Sequence, residues 1–248
     1  MSASNNPFPA GDSPLLCYVT DRHGLPVANS ADSIEAPTRK IAEVAAAGVD
    51  WVQIREKDLT ERELASLTRK SLRIAERSSA ERSFAARILV NDRLDVAIAE
   101  RAGGVHLGER SLSAEDAKHL IRLRLTSSEG FLTGVSCHSL ESARAAARSG
   151  ADYIFFGPVF TTPSKEEFGP PQGTTLLEQV CRAVSIPVLA IGGVTLDNAK
   201  SCVVAGAAGI AAIRLFQDAS DPISIIQRLR QLVRGYRRRR LPAGQIRG

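Results

Sequence analysis

Residues 149–158 read Ser-Gly-Ala-Asp-Tyr-Ile-Phe-Phe-Gly-Pro, and the fold prediction starts from this stretch. Its centre, residues 153–156, is an unbroken apolar run, which is typical of a strand buried on both faces of a parallel sheet. Gly150 before the run favours the left-handed turn that ends a helix. Gly157 and Pro158 after it indicate a loop. The stretch therefore predicts a helix end, a buried strand and the loop at the carboxyl end of that strand.

The same alternation of short apolar runs and segments of helical period continues in both directions. Strands are predicted at residues 15–20, 50–56, 87–91, 104–107, 131–136, 152–156, 187–191 and 209–213. Helices are predicted near residues 32–47, 60–77, 93–102, 113–123, 139–149, 173–183, 196–205 and 221–234. Alternating strands and helices form parallel βαβ units. Eight units in 248 residues predict an α/β protein with a single-domain (β/α)₈ TIM barrel.

A recurring glycine phrase supports the barrel. Residues 47–50, 102–105, 149–152 and 205–208 each place glycine between a helix and a strand. The phrases start 55, 47 and 56 residues apart, which is about two βα units each time. This spacing fits a barrel built from similar quarters, with a left-handed glycine at each of the four helix ends. Thr60 and Glu63 further predict a capping box at the start of the second helix.

Composition divides the chain into three parts. Residues 1–13 are small and polar and are expected to form a flexible N-terminal arm, residues 14–233 the barrel catalytic domain, and residues 234–248 a basic tail. The tail holds six arginines and no acid. The whole chain has a formal net charge of +5, so the residues outside the tail have a net charge of −1. A solvated tail is favoured over one that contacts nucleic acid or acidic lipid.

The sequence predicts a soluble, cytoplasmic protein. Residues 1–13 lack the cationic start and apolar run of a secretory signal, and no apolar run reaches the roughly 20 residues that span a bilayer. The four cysteines form no C-x-x-C pair and are expected to be free, mostly buried thiols, which suits a reducing compartment. Small-molecule substrates and no membrane partner are expected, and a homo-oligomer stays open.

Polar side chains follow the predicted strands, at the end of the barrel where active sites lie. Arg55, Lys57 and Lys165 are cations suited to an anion of more than one charge, such as a diphosphate. Asn91 and Asp92 offer hard oxygen ligands of the kind that hold Mg²⁺ together with substrate phosphate. The sequence therefore predicts a metal–diphosphate site at this rim.

A second phosphate group is predicted beside the first. Thr162 and Ser164 supply hydroxyls on a loop that contains glycine and proline, and Gly192 and Gly193 precede a segment expected to bind phosphate at a helix start. Each motif alone has an ordinary explanation as an ion pair, a helix cap or a turn. Their joint position at the strand ends carries the prediction.

The histidines and the missing motifs limit the chemistry. His106 alternates with apolar neighbours and is expected to be a structural residue, whereas His138 lies just past a strand and is open to either role. No spacing of histidine and cysteine suggests zinc, and the chain has neither a Walker A nor a Rossmann motif.

Several motifs follow one another along the chain. They are Gln53-Ile54-Arg55-Glu56-Lys57, Asn91-Asp92-Arg93, Gly104-Val105-His106-Leu107-Gly108, Gly134-Val135-Ser136 with His138, Asp152-Tyr153 leading to Gly157-Pro158, the loop 162–165, and Ala190-Ile191-Gly192-Gly193 with Asn198. Together, from about residue 15 to residue 232, they resemble the thiamine-phosphate synthase family, in its order and near its spacing.

The resemblance implies a (β/α)₈ barrel that uses Mg²⁺ to join 4-amino-2-methyl-5-(diphosphooxymethyl)pyrimidine to a thiazole phosphate, giving thiamine phosphate and diphosphate. It implies that the pyrimidine diphosphate is bound by Gln53, Arg55, Lys57, Asn91, Ser136 and Lys165. It implies that the thiazole phosphate is bound by Thr162, Ser164, Gly193 and Ile213, and that Asp92 binds Mg²⁺. Arg55, Lys57, Lys165 and His138 are the candidate catalytic residues of a dissociative reaction that needs no covalent nucleophile.

Two positions depart from the family pattern. Ser111 stands where a second metal-binding aspartate is usual, so Glu109 or Ser111 is the candidate for a second ligand, Glu109 through water. Arg214 stands where a serine usually contacts the thiazole phosphate. Its guanidinium either strengthens phosphate binding or fills the pocket.

These departures keep two alternatives open. A thiazole tautomerase of the same fold would use His138 as acid and base, and a non-catalytic barrel would only bind thiamine precursors. Lys57 and Asp92 are residues that tautomerases tend to lose, and their presence favours the synthase.

Overall fold

The computed structural model describes residues 13–26, 32–80, 85–162 and 170–232. Eight parallel strands pair in chain order and the eighth pairs with the first, which closes the barrel. The predicted (β/α)₈ fold is thereby confirmed. The strands are β1 (Leu15–Val19), β2 (Trp51–Ile54), β3 (Arg87–Asn91), β4 (Gly104–Leu107), β5 (Leu132–Cys137), β6 (Tyr153–Phe156), β7 (Val188–Ile191) and β8 (Gly209–Ala212).

A helix follows each strand, as predicted. The α-helices are α1 (Asp32–Ala47), α2 (Glu61–Ala80), α3 (Leu94–Ala99), α4 (Ala114–Arg124), α5 (Leu140–Arg148), α6 (Gly173–Ala183), α7 (Ala199–Val204), α8 (Arg214–Gln217) and α9 (Pro222–Leu232). The sequence did not predict α8 or a 3₁₀ helix at Arg22–Gly24, because three or four residues are too few to show a helical period. The predicted capping box of α2 is present, with the Thr60 backbone N–H donating to Glu63 Oε2 at 2.9 Å.

Two sets of buried side chains come from the two faces of the strands. Alternate strand residues, including Leu15, Cys17, Leu89 and Phe155, pack together inside the barrel. The intervening residues pack against the helices in a second, larger cluster. Burying one large apolar side chain contributes about 2 kcal/mol, so the two clusters fix the barrel that carries the loops.

The recurring glycine phrase has the predicted geometry in three of its four copies. Gly48, Gly150 and Gly206 have φ of 102°, 82° and 102°, the left-handed conformation that ends a helix. In the copy at residues 102–105 the prediction is wrong, because Arg101 takes the left-handed conformation with φ of 54°. Gly104 instead permits close strand packing, since a Cβ there would lie 2.3 Å from the Leu132 carbonyl oxygen.

Helix α9 is anchored at the amino-end face of the barrel. Arg230 donates to Asp50 Oδ1 and to the Gly48 carbonyl, each at 2.9 Å, and to the Pro14 carbonyl at 3.3 Å. Asp50 Oδ2 also accepts from the Leu16 backbone N–H at 2.7 Å. The last described helix is thus tied to the first strand.

Three of the four cysteines are buried and Cys181 is half-buried, and none of the four forms a disulfide, as expected. In the part of the chain that the structure describes, no helix is both long and apolar enough to cross a membrane. The predicted N-terminal arm, apart from Ser13, and the predicted basic tail lie outside the described residues.

Candidate active site

A cavity of about 810 Å³ opens at the carboxyl ends of the strands, and the chain after every one of the eight strands contributes to its wall. This volume suits a small-molecule ligand. Of the candidate site residues, those that line it are Gln53, Arg55, Lys57, Asn91, Asp92, Glu109, Ser111, Ser136, His138, Thr162, Gly193, Ile213 and Arg214. Ser164 and Lys165 lie outside the described residues.

A chain of amide hydrogen bonds links β2 to β3 in the cavity wall. Gln53 is 2% exposed and its Nε2 donates to Asn91 Oδ1 at 2.9 Å. Asn91 Nδ2 in turn donates to Asp92 Oδ2 at 2.9 Å. The buried glutamine is thereby satisfied, and the orientation of both amides is fixed by their partners.

Asp92 is held by donors from two strand ends. Its backbone is left-handed, with φ of 58°, which aspartate tolerates better than most residues. Oδ1 accepts from the Gly108 backbone N–H at 2.8 Å and from Ser111 Oγ at 2.6 Å. The short bond from Ser111 has the geometry of a charge-assisted hydrogen bond. Ser111 therefore supports Asp92 through a hydrogen bond in this structure.

The oxygen ligands fit a metal held partly by substrate. Within the described ranges, no cluster of three or more His, Cys, Asp and Glu side chains could hold a metal ion. Asp92 and Glu109 line the same cavity, and both present carboxylates. One or two carboxylates with substrate phosphate oxygens is the usual way in which proteins hold Mg²⁺, so these residues fit that ion.

The cations of the β2 loop, Arg55 and Lys57, line the cavity. Among the described residues, neither Arg55 nor Lys57 has an ion-pair partner within 4.0 Å. The neighbouring acids pair elsewhere: the Arg22 backbone N–H donates to Glu56, and the Arg22 side chain contacts Asp58. Within the described ranges, Arg55 and Lys57 therefore do not form an ion-paired strand end, the ordinary explanation of this motif.

Gly193 brings the backbone of the β7 loop against the β6 loop. Its φ is 64°, and a Cβ there would lie 2.4 Å from the Thr161 carbonyl oxygen. Asn198 holds the turn, because its Nδ2 donates to the Gly193 carbonyl at 3.0 Å and its Oδ1 accepts from Thr195 N at 2.8 Å. The helix expected from residue 196 begins only at Ala199, since residues 196–198 form this turn.

The two histidines near the cavity have different surroundings. His106 is 1% exposed, with Nδ1 3.0 Å from Tyr153 Oη and Nε2 2.9 Å from Ser136 Oγ, so the expected structural role fits. His138 lines the cavity, and its Nδ1 contacts the Gly157 carbonyl. Nδ1 of His138 is therefore the protonated nitrogen when the ring is neutral.

The sequence did not single out two charged residues of the cavity wall. Asp21 lies two residues past the end of β1 and Arg110 three residues past the end of β4. Asp21 could have been found with the same rule that selected the other strand ends. Arg110 is followed by a run of turn and helix residues and has no local signal that separates it from ordinary surface arginines.

Together these features define the class of protein: a (β/α)₈ barrel with one cation-bearing polar cavity at the carboxyl ends of its strands. A family model described as thiamine monophosphate synthase matches residues 25–216. A putative thiamine-phosphate synthase of Geobacter sulfurreducens is 41% identical over 84% of this chain and 88% of that protein. The thiamine-phosphate synthase of Roseiflexus castenholzii is 37% identical over 87% and 86%.

A solved structure agrees with these relatives. The thiamine phosphate pyrophosphorylase from Pyrococcus furiosus superposes with a TM-score of 0.73 at 29% identity, over 91% of this chain and 98% of that one. The chain belongs to the thiamine-phosphate synthase family, and it is a transferase. The relatives do not favour the tautomerase or the non-catalytic alternative.

Proposed function

We propose that this chain condenses 4-amino-2-methyl-5-(diphosphooxymethyl)pyrimidine with a thiazole phosphate. The bond between the methylene carbon and the diphosphate oxygen breaks, and its electron pair leaves with the diphosphate. The lone pair of the thiazole nitrogen then forms the new C–N bond to that carbon, which gives thiamine phosphate. The observation that carries the proposal is the convergence of Arg55, Lys57 and Asp92 in one cavity of a chain of this family.

The β2 and β3 side of the cavity is proposed to hold the diphosphate. Negative charge grows on the leaving group as the carbon–oxygen bond breaks, so fixed cations stabilise the transition state more than the ground state. Arg55 and Lys57 would supply those cations, with Ser136 as a hydrogen-bond donor. Gln53 and Asn91 are proposed to bind the pyrimidine diphosphate beside them, and Lys165 is proposed as a third cation.

Mg²⁺ is the proposed cofactor. Asp92 would hold it, with Glu109 or Ser111 as the candidate second ligand. The ion when bound neutralises diphosphate charge. The hydrogen bonds from Ser111 and Gly108 keep the Asp92 carboxylate in place within the cavity.

The β6 to β8 side is proposed to position the thiazole phosphate. Thr162, Gly193 and Ile213 line this part of the wall, and Ser164 is proposed to join them. Arg214 is exposed at the start of α8 and lines the same cavity, which favours a phosphate contact over a filled pocket. Placing the thiazole nitrogen beside the reacting carbon makes the second step effectively unimolecular.

His138 is a candidate catalytic residue in the cavity wall. The proposed partners are the two small-molecule substrates, and the proposed location is the cytoplasm.

The test mixes the purified protein with both substrates, with and without Mg²⁺. We expect thiamine phosphate only with the metal, and a loss of about 10²-fold in kcat/KM for Arg55→Gln. Arg73→Gln is the matched control, because Arg73 is an exposed arginine of α2 outside the cavity wall. Activity on the carboxythiazole phosphate tautomer alone would favour the tautomerase.

A further inference from the structure

A line of three polar side chains runs from the barrel interior to the cavity. His106 pairs in the sheet with Asn91 of β3 and Gly134 of β5. Its Nδ1 lies 3.0 Å from Tyr153 Oη and its Nε2 2.9 Å from Ser136 Oγ. Ser136 lines the cavity, whereas the other two side chains lie below it.

A glycine makes room for this line. A Cβ on Gly134 would lie 2.0 Å from Cζ of Tyr153, so the tyrosine ring fills the space where that side chain would stand. The Phe155 ring packs on the imidazole with ring centroids 4.2 Å apart. His106 is therefore held by a ring contact with Phe155 as well as at both nitrogens.

The buried hydroxyl of Tyr153 decides which atom donates in each of these two hydrogen bonds. Tyr153 is fully buried, and His106 Nδ1 is the hydrogen-bond partner of its hydroxyl among the described residues. Burial raises the pKa of Tyr153 well above its ordinary value, so the hydroxyl keeps its hydrogen. If Nδ1 carried a hydrogen, the tyrosine hydrogen would be buried without an acceptor. Tyr153 therefore donates to Nδ1, and Nε2–H donates to Ser136 Oγ.

We propose that His106, set in one tautomer by Tyr153, is a positioning residue that makes Ser136 a hydrogen-bond donor to the diphosphate. Nε2–H occupies one lone pair of Ser136 Oγ, so the serine hydrogen turns to the cavity. Phosphate oxygens only accept hydrogen bonds, and a donor fixed in advance needs no reorganisation when negative charge grows. The inference rests on the proposed function.

The first experiment replaces His106, the residue that links Tyr153 to Ser136. We expect His106→Leu to lower kcat about tenfold and to weaken the binding of inorganic diphosphate, measured with Mg²⁺ by titration calorimetry, by about the same factor. KM for the thiazole phosphate should stay within about twofold. Thr133→Val is the control: its buried Oγ1 has no hydrogen-bond partner among the described residues, it lies on the same strand as Ser136, and its loss should change neither quantity.

The second experiment separates positioning from folding. In a Ser136→Ala background, His106→Leu should change diphosphate affinity less than about twofold, because the hydroxyl that it positions is gone. Tyr153→Phe removes one oxygen and should weaken diphosphate binding about threefold, again only when Ser136 is present. If His106→Leu does not fold, the comparison of Tyr153→Phe with and without Ser136 tests the inference instead.

Three results would each overturn the inference. The first is an equal loss of diphosphate affinity with Ser136 and with Ser136→Ala, and the second is no loss when Ser136 is present. The third is that the unaltered protein does not bind diphosphate. The proposed function fails separately, if the unaltered protein binds diphosphate but forms no thiamine phosphate.

Discussion

Asp92 receives three hydrogen bonds, from Asn91, Gly108 and Ser111, and the way they are shared bears on its proposed metal. Oδ1 accepts two of them and Oδ2 one. A carboxylate oxygen has about two acceptor positions, so Oδ2 keeps one for a cation. One carboxylate oxygen alone binds Mg²⁺ weakly, and a second carboxylate in the same cavity would increase the affinity for the ion.

We predict that Glu109→Gln raises the Mg²⁺ concentration needed for half-maximal rate about tenfold, because it removes the cavity-wall carboxylate that directly follows Gly108, whose backbone N–H donates to Asp92. The measurement is a magnesium titration of thiamine phosphate formation. Glu115→Gln, an exposed glutamate in the first turn of α4, should leave the titration unchanged. An unaltered magnesium dependence in Glu109→Gln would remove Glu109 from the site.

Glu56 carries a buried carboxyl group, and its ionisation makes the stability of the fold depend on pH. Its pKa is raised by burial, against the hydrogen bonds from Thr20 and the Arg22 backbone that lower it. The folded protein therefore binds this proton more tightly than the unfolded chain does. Its contribution to stability is complete below about pH 4.3, the ordinary glutamate pKa, and is lost as pH rises through the raised folded value.

We predict that Glu56→Gln flattens this fall of the unfolding free energy with rising pH, measured by urea denaturation at a series of pH values. Glu63→Gln is the contrast, because hydrogen bonds from Thr60 lower the pKa of Glu63. Its stabilising effect is lost as pH falls, so Glu63→Gln should change only the acid side. A Glu56→Gln profile with the same slope as the unaltered protein would contradict the assignment.

Most residues of the candidate site could be chosen from the sequence, since polar side chains after buried strands must share one rim. The proposed role of His106 could not be predicted from the sequence. Its partners Ser136 and Tyr153 are 30 and 47 residues away in the chain, and only closure of the barrel brings them together. The sequence predicted a satisfied histidine correctly, yet gave no sign that one of its partners lies in the cavity.

Among the elements, the strands were predicted better than their ends. The predicted second strand ran to residue 56, whereas β2 ends at Ile54. The Arg55 backbone N–H donates to Thr20 Oγ1 at 3.0 Å instead of continuing the ladder. An apolar run shows where a strand is buried, but a side-chain acceptor from another loop decides where the ladder stops. The loop between β6 and α6 includes residues outside the described part of the chain, so its predicted site residues stay untested.

At the β7 loop we predict that Gly193→Ala lowers the unfolding free energy by about 3 kcal/mol and raises KM for the thiazole phosphate. The added Cβ would meet the backbone of Phe160 and Thr161, which must then move. Gly130→Ala is the matched control: its φ is 77°, but nothing lies within 4 Å of the added Cβ. It should cost only the left-handed strain, about 1 kcal/mol, with no change in KM. Equal effects of the two changes would show that the contact with the β6 loop is unimportant.

On the scale of the whole molecule, the charge is unevenly placed. Residues 234–248 carry six arginines and no acid, and the rest of the chain has a formal net charge of −1. Attraction of anionic substrates must then come from local cations such as Arg55, Lys57 and Arg214 in the cavity wall, and not from the overall charge of the barrel.

We therefore predict that a chain ending at Leu232 keeps kcat/KM within about twofold and is no less stable, because the anchor of α9 remains. That anchor is Arg230, which donates to Asp50 and to two backbone carbonyls. Arg230→Met in the full chain should instead lower the unfolding free energy by about 2 kcal/mol, since Asp50 is 7% exposed and would lose its cation. KM should not change, because Arg230 lies at the opposite end of the barrel from the cavity. Thermal unfolding and steady-state rates measured on both variants test this, and a truncated chain that unfolds normally but has lost activity would assign the arginine tail a part in catalysis.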